Sequence, residues 1–191
     1  MKLSDEHVDF DSLYAKYGGL GNLQVDLGCG FYKPEGFIGL DNMEGAGSQD
    51  ASAGVPPDVN MDLHNDALPL PDSSVALIRT SHYLEHSKLD WTFTEVHRVL
   101  RKGGVFDNTM PYGLSDDGLY PGHTIFLTEK WFQENLLFQR LFKIKSLTYD
   151  PSPEYLAWPR ATKKLIPFSW GRRHLFNVCT QFRLVAEKRE I

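Results

Sequence analysis

An acidic residue and two glycines lie together where an open α/β sheet can bind a nucleotide-like ligand. Asp26 lies near the end of an apolar run at positions 23–27, and Gly28-Cys29-Gly30 follow it. Glycine lets a ligand approach the backbone closely, and a carboxylate accepts hydrogen bonds from hydroxyl or cationic donors. A strand followed by Gly-x-Gly is also common as a plain turn, so this corner alone leaves both interpretations open. We interpret Cys29 as a packing residue rather than a nucleophile, because no histidine adjoins it.

The spacing around this corner disfavours the two commonest nucleotide ligands. The dinucleotide fingerprint Gly-x-Gly-x-x-Gly needs glycine at position 33, where the chain has Lys33. ATP-binding P-loops need Gly-Lys-Ser or Gly-Lys-Thr, and the sequence contains neither.

A second pattern, His82-Tyr83-Leu84-Glu85-His86, matches the inverted zinc-peptidase motif. On one helix His82 and His86 would share a face and could bind zinc. The pattern follows a predicted strand directly, however, whereas the peptidase motif lies inside a helix. We therefore expect no metal ion, and we expect Ser81 and His82 to face a ligand at the end of that strand. A zinc hydrolase using His82 and His86 is the less favoured alternative, which metal analysis of the purified protein would test.

Two later segments carry groups that could contact or deprotonate a substrate. His123 follows the fifth predicted strand, where an imidazole is either a general base or a group that pins the loop. Tyr112 shares that loop. A segment at 150–174 combines cations, among them Arg172 and Arg173, with aromatic residues. Such a segment suits an anionic small molecule or a lid that balances an acidic body, and single-stranded nucleic acid is the least favoured partner.

The elements that must position these residues alternate between strands and helices. This order predicts a mostly parallel, Rossmann-like seven-stranded sheet with an antiparallel last strand and helices on both faces. Only about eight residues separate Gly28 from Phe37, which is too few for an ordinary crossover, so the first helix is short or absent. Apolar spacing predicts strands at 23–27, 36–41, 59–63, 75–80, 105–110, 143–149 and 177–188, and helices at 8–17, 89–100 and 127–138. We expect glycines at 103–104 to end the second helix, and loops at 42–58 and 111–124.

Composition agrees with one globular domain at 1–191, with an N-terminal helix within 1–21 and a lid-like insertion at 150–174. The chain has 191 residues, 41% hydrophobic and 24% charged, which excludes disordered and coiled-coil classes. Two cysteines, no long apolar run and no signal-like start predict a cytoplasmic protein without a membrane span. Charge is uneven: residues 1–142 carry 10 Lys+Arg against 21 Asp+Glu, and residues 143–191 carry 10 against 4.

The run Val25–Gly30 resembles the first motif of class I S-adenosylmethionine-dependent methyltransferases. Segments 68–75, 81–86 and 99–104 resemble the approaches to the fourth and fifth strands of that family, and the resemblance spans about residues 22–150. His-x-x-Phe at 123–126 suggests a bacterial subgroup of small-molecule or surface-polysaccharide pathways. The resemblance implies S-adenosylmethionine as the cofactor, with Asp41 on the ribose and Asp62-Leu63 at the adenine. Implied cofactor-binding residues are Asp26, Gly28, Cys29, Gly30, Asp41, Asn42, Asp62, Leu63, Ser81 and His82.

The resemblance also implies the reaction. A sulfonium methyl group is already activated, so its transfer needs positioning of the acceptor and neither a metal nor a covalent nucleophile. We expect a small oxygen or nitrogen acceptor, and the basic insertion favours one with negative charge. His82 and His123 are the catalytic candidates, and the acceptor-binding candidates are Tyr112, His123, Arg172 and Arg173. A protein that binds S-adenosylmethionine without turnover is the main alternative, which observed methyl transfer would exclude.

Overall fold

A single sheet organises the chain. The computed structural model describes residues 8–43 and 54–191, and within them seven strands form one sheet in the order β3-β2-β1-β4-β5-β7-β6. Strands β1 to β5 run parallel, and β7 is antiparallel to both of its neighbours. The predicted fold class is therefore confirmed. The strands are β1 (Leu23–Leu27), β2 (Ile38–Asp41), β3 (Val59–Asn60), β4 (Val75–Ser81), β5 (Leu100–Pro111), β6 (Phe142–Pro151) and β7 (Cys179–Lys188).

Short helices connect and cover these strands. In the described residues, α2 is the longest of the helices, and none is long and apolar enough to cross a membrane. A 3₁₀ turn at Leu84–His86 follows β4 directly. The helices are α1 (Phe10–Lys16), α2 (Leu89–Val99), α3 (Glu129–Glu134), α4 (Leu136–Leu141), α5 (Pro153–Ala157), α6 (Arg160–Leu165) and α7 (Phe168–His174).

Two predicted helix ends are wrong, each for a local reason. The helix predicted at 127–138 is two helices, because Asn135 is extended and its side-chain oxygen accepts a hydrogen bond from the Phe138 N–H to start α4. Helix α2 ends at Val99, before the glycines expected to stop it. Those glycines lie in a bulge of β5, where the pairing partner of β4 shifts from Leu100 to Val105.

The first crossover contains no helix, as its length predicts. The segment between β1 and β2 is a loop, and Tyr32 in it forms a parallel bridge with Val55. The third strand is shorter than predicted and leaves Leu63 beyond its end. Parts of the predicted loop at 42–58 and of the N-terminal segment, residues 44–53 and 1–7, lie outside the described residues.

A buried network holds the helix-free loop in place. The Lys33 Nζ lies 2.5 Å from Asp58 Oδ2 and 3.1 Å from the Tyr17 Oη, and Tyr17 donates to Asp58 Oδ1 at 2.9 Å. Gly39 of β2 also donates its N–H to Asp58. Burial alone would raise the pKa of Asp58, but the hydrogen bonds from Lys33, Gly39 and Tyr17 lower it below its ordinary value. The network ties the end of α1, the first loop and β2 together.

An aromatic cluster forms the core under β5 and β6. Phe93 of α2 lies at its centre, with ring centroids 5.1 Å from Phe138 and 6.3 Å from Phe106. The strand and helix aromatics in this cluster are fully buried, which anchors α2 and the α3–α4 pair to one end of the sheet.

Strand direction puts the insertion beside the carboxyl ends of the parallel strands. Strand β6 is antiparallel to β7, which is antiparallel to β5, so β6 ends at the same edge as β5. Helices α5 to α7 follow β6 there. The loop after β5 meets the segment that joins the insertion to β7, because the Asn177 N–H donates to the Leu114 carbonyl at 2.8 Å. Both segments therefore border the edge where open α/β sheets bind ligands.

The lysine network predicts a measurable loss of stability for Asp58→Asn. The change removes the charge that pairs with Lys33, whose side chain is only 8% exposed. We expect the free energy of unfolding at pH 7 to fall by about 1.5–3 kcal/mol, measured by urea denaturation. Because the pKa of Asp58 is lowered, the wild-type advantage should disappear as pH falls through that value. Glu35→Gln, at an exposed carboxylate of the same loop, is the control, and equal losses in both variants would contradict the role of the network.

Candidate active site

The turn after β1 is built so that only glycine fits at its first position. Gly28 has φ +69°, and a Cβ there would lie 2.7 Å from the Tyr83 ring. Its N–H donates to the Leu40 carbonyl at 2.9 Å, which holds the turn against β2. The backbone is thus compressed between Tyr83 and β2 and leaves its outer side open to a ligand.

Asp41 holds the other half of this turn. One carboxylate oxygen accepts the Gly30 N–H at 2.8 Å, and the other accepts the Met43 N–H at 2.6 Å. An ionised carboxylate oxygen can accept more than one hydrogen bond, so Asp41 still has capacity for two hydroxyl groups. Asn42 follows it at the same edge of the sheet. Asp41 is therefore able both to fix the turn and to hold a diol.

Asp26 is buried and forms an ion pair with a residue that sequence reasoning missed. Arg79 of β4 is paired with Asp26 in the parallel register, and its Nη1 lies 2.6 Å from Asp26 Oδ2. Burial raises the pKa of Asp26 to about 6 although Arg79 opposes the shift. Asp26 Oδ1 has no hydrogen-bond partner among the described residues, so it can accept a donor from a ligand. Arg79 could have been identified only from the register of β1 against β4, which places it beside Asp26. The sequence alone does not show this register.

The turn after β1 and the end of β4 line a pocket of about 190 Å³, whereas Asp26, Asp41 and Asn42 are not among its lining residues. His82 at its rim has φ +54°, an unusual conformation for histidine, and its N–H donates to the Thr109 carbonyl of β5. Its Nε2 lies 3.1 Å from the Gln181 Oε1 of β7. The predicted group of turn residues, Ser81 and His82 is therefore brought together. The lining residues are Gly28, Cys29, Tyr32, Arg79, Ser81 and His82.

Several solved methyltransferase structures share this fold. A crystal structure of an S-adenosylmethionine-dependent methyltransferase from Archaeoglobus fulgidus has a TM-score of 0.62 at 14% identity, covering 95% of this chain and 100% of that one. One from Mesorhizobium loti has a TM-score of 0.54 at 19% identity, covering 93% and 96%. A geranyl diphosphate methyltransferase solved with S-adenosylmethionine has a TM-score of 0.51 at 13% identity, covering 93% and 84%. No curated protein matches the chain.

Identities this low show the fold, and a family model identifies the chemistry. The model described as a methyltransferase domain matches residues 25–106, from the middle of β1 into β5. This stretch contains the glycine turn, Asp41 and the pocket residues of β4. This chain therefore carries a methyltransferase domain at residues 25–106, and its fold is that of S-adenosylmethionine-dependent methyltransferases. Its turn fits the cofactor, because Tyr83 packs against the inner side of Gly28 and leaves the outer side open, and because Asp26 keeps a buried acceptor atom without a partner among the described residues.

The methyltransferase keeps Cys29 buried beside its turn. Burial, with Asp26 and Asp41 adding to it, raises the pKa of the Cys29 thiol to about 12. A thiol held in this protonated state is a poor nucleophile at neutral pH, which fits the packing role. Cys29 also lines the pocket, so its backbone remains a candidate contact for the cofactor.

Asp62 and Leu63, the residues expected near the adenine, lie in a turn after β3. Asp62 accepts from the His64 N–H at 2.8 Å and from the Asn65 side chain at 2.6 Å, and these bonds lower its pKa. Leu63 is buried, and its carbonyl accepts the Tyr83 hydroxyl at 3.2 Å. Tyr83 thus links this turn to Gly28. Neither Asp62 nor Leu63 lines the described pocket, and their cofactor role remains a prediction.

Two of the acceptor-binding candidates are used inside the fold. Tyr112 is 1% exposed and donates its hydroxyl to Glu129 at 2.8 Å. Arg172 pairs with the same Glu129 at 3.0 Å, and its guanidinium lies 4.0 Å from the centre of the Tyr149 ring. These contacts pin α7 to the sheet and do not leave either side chain free for an acceptor. Arg173, by contrast, is exposed, and within the described residues it bonds only a carbonyl of its own helix, that of Ser169.

The histidines are arranged differently from the expected zinc motif. His82 precedes the 3₁₀ turn rather than lying on an α-helix with His86, so the shared face does not form. His86 instead meets His123, with ring centroids 4.7 Å apart and planes at 76°. Glu85 lies beneath them, 2% exposed, and burial raises its pKa to about 7. His123 is absent from the pocket lining, so the structure separates the two catalytic candidates.

The glycine turn predicts a loss of cofactor affinity for Gly28→Ala. The added methyl would collide with Tyr83 and require a left-handed backbone, at a cost of about 2–4 kcal/mol in stability. We expect the Kd for S-adenosylmethionine, measured by calorimetry, to rise at least about tenfold. Gly36→Ala is a matched control, because Gly36 has φ +82° but no atom within 4 Å of the added Cβ. It should lose stability while keeping affinity, and equal affinity in both variants would show that the turn does not hold the cofactor.

The buried Asp26 predicts a pH dependence of cofactor binding. We expect Asp26 to contact the ammonium of S-adenosylmethionine, which a carboxylate attracts only when it is ionised, and the pKa of Asp26 is about 6. The Kd should therefore rise below pH 6, by up to about tenfold per unit, and stay flat above it. Asp26→Asn should bind more weakly at pH 7 and remove this dependence, whereas the exposed Asp90→Asn should keep it. The measurement is calorimetric titration with S-adenosylhomocysteine from pH 5 to 8, and a flat wild-type profile would contradict the contact.

Proposed function

We propose that this methyltransferase acts on a small acceptor that carries negative charge and is methylated at oxygen or nitrogen. The observation that carries the proposal is the meeting of three segments at one edge of the sheet. The cofactor pocket, the loop after β5 and the helical insertion all border the carboxyl ends of the parallel strands. Gln181 of β7, which bonds His82, also bonds Asp150 at the end of β6. An acceptor beside the sulfonium would lie between these segments.

The ion pair between Arg79, which lines the pocket, and Asp26 supports a placement for the cofactor. Asp26 and Arg79 offer one negative and one positive group, which complement the ammonium and carboxylate of its methionine end. Asp41, with Asn42 beside it, faces the ribose in this arrangement. The Asp62–Leu63 turn, linked to the glycine turn through Tyr83, is then nearest the adenine. When bound, the cofactor supplies an activated methyl group, and the chain's residues hold it in line with the acceptor.

Unpaired cations in the insertion support an anionic acceptor. Arg160, Lys164 and Arg173 are exposed, and no carboxylate of the described residues lies within ion-pair distance of them. The rest of the chain carries excess acidic charge, so these cations form a local positive region at the acceptor edge. The geranyl diphosphate methyltransferase of the same fold is named for an acceptor with a diphosphate, so an anionic acceptor is compatible with this architecture.

His82 is the proposed general base. It lines the pocket, whereas His123 lies beside His86 and outside the lining. Its positive φ holds the imidazole at the pocket rim through the bond from its N–H to β5, the kind of local strain found at functional sites. An imidazole there can take a proton from an acceptor hydroxyl or amine.

We place the enzyme in a reducing compartment, the cytoplasm, and assign it a small molecule rather than nucleic acid. Both cysteines are free and buried, and burial raises the pKa of the Cys179 thiol to about 12, as it does for Cys29. The positive region is confined to one short insertion, which is small for a nucleic-acid track.

The acceptor charge is tested with matched substrates and a charge-removal variant. Transfer of tritium from methyl-labelled S-adenosylmethionine would be measured with hydroxybenzoates against their methyl esters, and with sugar phosphates against the free sugars. We expect the anionic member of each pair to be preferred. Replacing Arg160, Lys164 and Arg173 together by alanine should raise KM for the anionic acceptor about three- to tenfold and leave the Kd for the cofactor unchanged.

The control removes equal charge from the opposite edge. Arg101, Arg140 and Lys143 are exposed and lie near the start of β5 and β6. Their triple alanine variant should keep the wild-type KM. Preference for the neutral acceptors, or an equal rise of KM in both triple variants, would overturn the anionic acceptor. Absence of binding to S-adenosylmethionine or its demethylated product at millimolar ligand would overturn the cofactor placement itself.

A further inference from the structure

A cluster of one carboxylate and two imidazoles lies next to the cofactor pocket, and methyl transfer needs none of them. One carboxylate oxygen of Glu85 and one ring nitrogen from each of His86 and His123 lie within 4.8 Å of one another. We propose that these three side chains bind a divalent transition-metal ion, for which zinc is the best match. These ligands differ from those of the zinc motif in the sequence, which would use His82 and His86. In the fold, His123 from the loop after β5 takes the place of His82.

The hydrogen bonds of the two histidines leave one ring nitrogen of each available to bind a metal. His86 Nδ1 lies 3.1 Å from the Gly122 carbonyl, and His123 Nδ1 lies 3.2 Å from the Gly118 carbonyl. A carbonyl oxygen only accepts, so each Nδ1 carries the proton, and each Nε2 keeps its lone pair. Metal-binding histidines are usually oriented in this way, by donating the other ring N–H to a backbone carbonyl.

The buried carboxylate of Glu85 would supply the negative charge that binds the cation. Its side chain is 2% exposed, and neither carboxylate oxygen has a hydrogen-bond partner among the described residues. The nearest cationic candidate is His82, whose Nδ1 lies 3.6 Å from Oε1. Buried carboxylates without partners are rare and unfavourable, and a bound metal ion is one of the few groups that compensates them.

The ligand set and its exposure match a zinc site with room for another ligand. Two imidazoles and one carboxylate are the protein ligands of a known class of open zinc sites. Tetrahedral zinc would bring the ligand atoms to about 3.4 Å from one another, so the side chains must move by about 1 Å. His86 is exposed and His123 half-exposed, so an ion can enter from solvent and the side chains have space to move.

The position of the cluster suggests what the metal does. Glu85 lies 3.6 Å from His82, and His82 lines the cofactor pocket. A zinc ion with an open position there would bind an anionic oxygen of the acceptor and hold it near the methyl group. This role rests on the proposed function, whereas binding of the ion depends only on the three side chains.

The competing arrangement is a shared proton. A protonated His86 or His123 beside an ionised Glu85 would also compensate the buried charge, and such a cluster would not bind zinc. The two arrangements are distinguished by metal binding itself, measured on the full chain without any methyl-transfer assay.

The experiment starts with protein stripped by a chelator and titrated with zinc chloride in a calorimeter. We expect one zinc per chain, and His86→Ala and His123→Ala should each weaken binding at least about tenfold. His174→Ala and His97→Ala are the controls, because both remove histidines outside the cluster. Cobalt chloride as a second probe should give visible absorption bands in the wild type that both cluster variants lose. No binding, or equal binding by cluster and control variants, would overturn the site.

Glu85→Gln separates loss of the metal site from loss of the fold. The amide has nearly the shape of the carboxylate and removes an uncompensated buried charge, so the metal-free variant should unfold at the wild-type temperature or above. It should nevertheless lose zinc binding, and zinc should raise the melting temperature of the wild type alone. A variant that melts below the metal-free wild type, or that still binds zinc with wild-type affinity, would contradict the assignment.

Failure of the metal site and failure of the proposed function give different results. Methylation of anionic acceptors by a protein that binds no zinc would overturn the metal site and leave the acceptor proposal standing. Zinc binding that only the cluster variants lose, together with a preference for neutral acceptors, would support the metal site and overturn the anionic acceptor. If both hold, chelation should lower the rate with the anionic acceptor, and added zinc should restore it while the affinity for S-adenosylhomocysteine stays constant.

Discussion

The parallel pairing of β1 between β2 and β4 is the constraint on which the site depends. Since all three strands end at one edge, Asp26, Asp41 and Ser81 arrive at the same place although they are far apart in sequence. The compressed turn at Gly28 is a consequence of this pairing, because Tyr83 leaves β4 immediately beside it. A slip of one residue in either pairing would turn Asp26 away from Arg79 and remove the buried ion pair.

Two acidic side chains of this enzyme are buried away from water, and they differ in their partners. Asp26 and Glu85 are both buried acids with raised pKa values, and one of them has a close arginine whereas the other has none. A buried ion pair such as that of Asp26 changes the free energy of unfolding little, whereas a buried charged carboxylate without a cation beside it lowers that free energy. The ion pair between Glu129 and Arg172 lies outside the cofactor pocket. It holds α7 against the sheet and contacts no proposed ligand.

The sequence allowed prediction of the seven-stranded, mostly parallel sheet with its antiparallel last strand and of the glycine turn after β1, because periodicity and glycine turns are local signals. It did not allow prediction of contacts between strands, and these decide the chemistry of Arg79. Tyr112 and Arg172 looked like acceptor contacts because residue type indicates polarity but not burial. The split of α3 from α4 depends on one asparagine that can cap a helix as well as continue one. His123 and His86 are separated along the chain, so only the folded loop shows that their rings meet.

The helix-free first crossover has a consequence for how this enzyme can change. Many sheets of this type place the positive end of a helix macrodipole against an anionic ligand, a partial charge of about half a unit that belongs to the backbone. No helix follows β1 before β2 here, so the positive charge beside the pocket comes from the Arg79 side chain. A macrodipole survives nearly any single mutation, whereas a guanidinium is lost by one codon change. A single substitution at Arg79 can therefore remove the positive charge beside this pocket, and the same position can be used to redesign that charge.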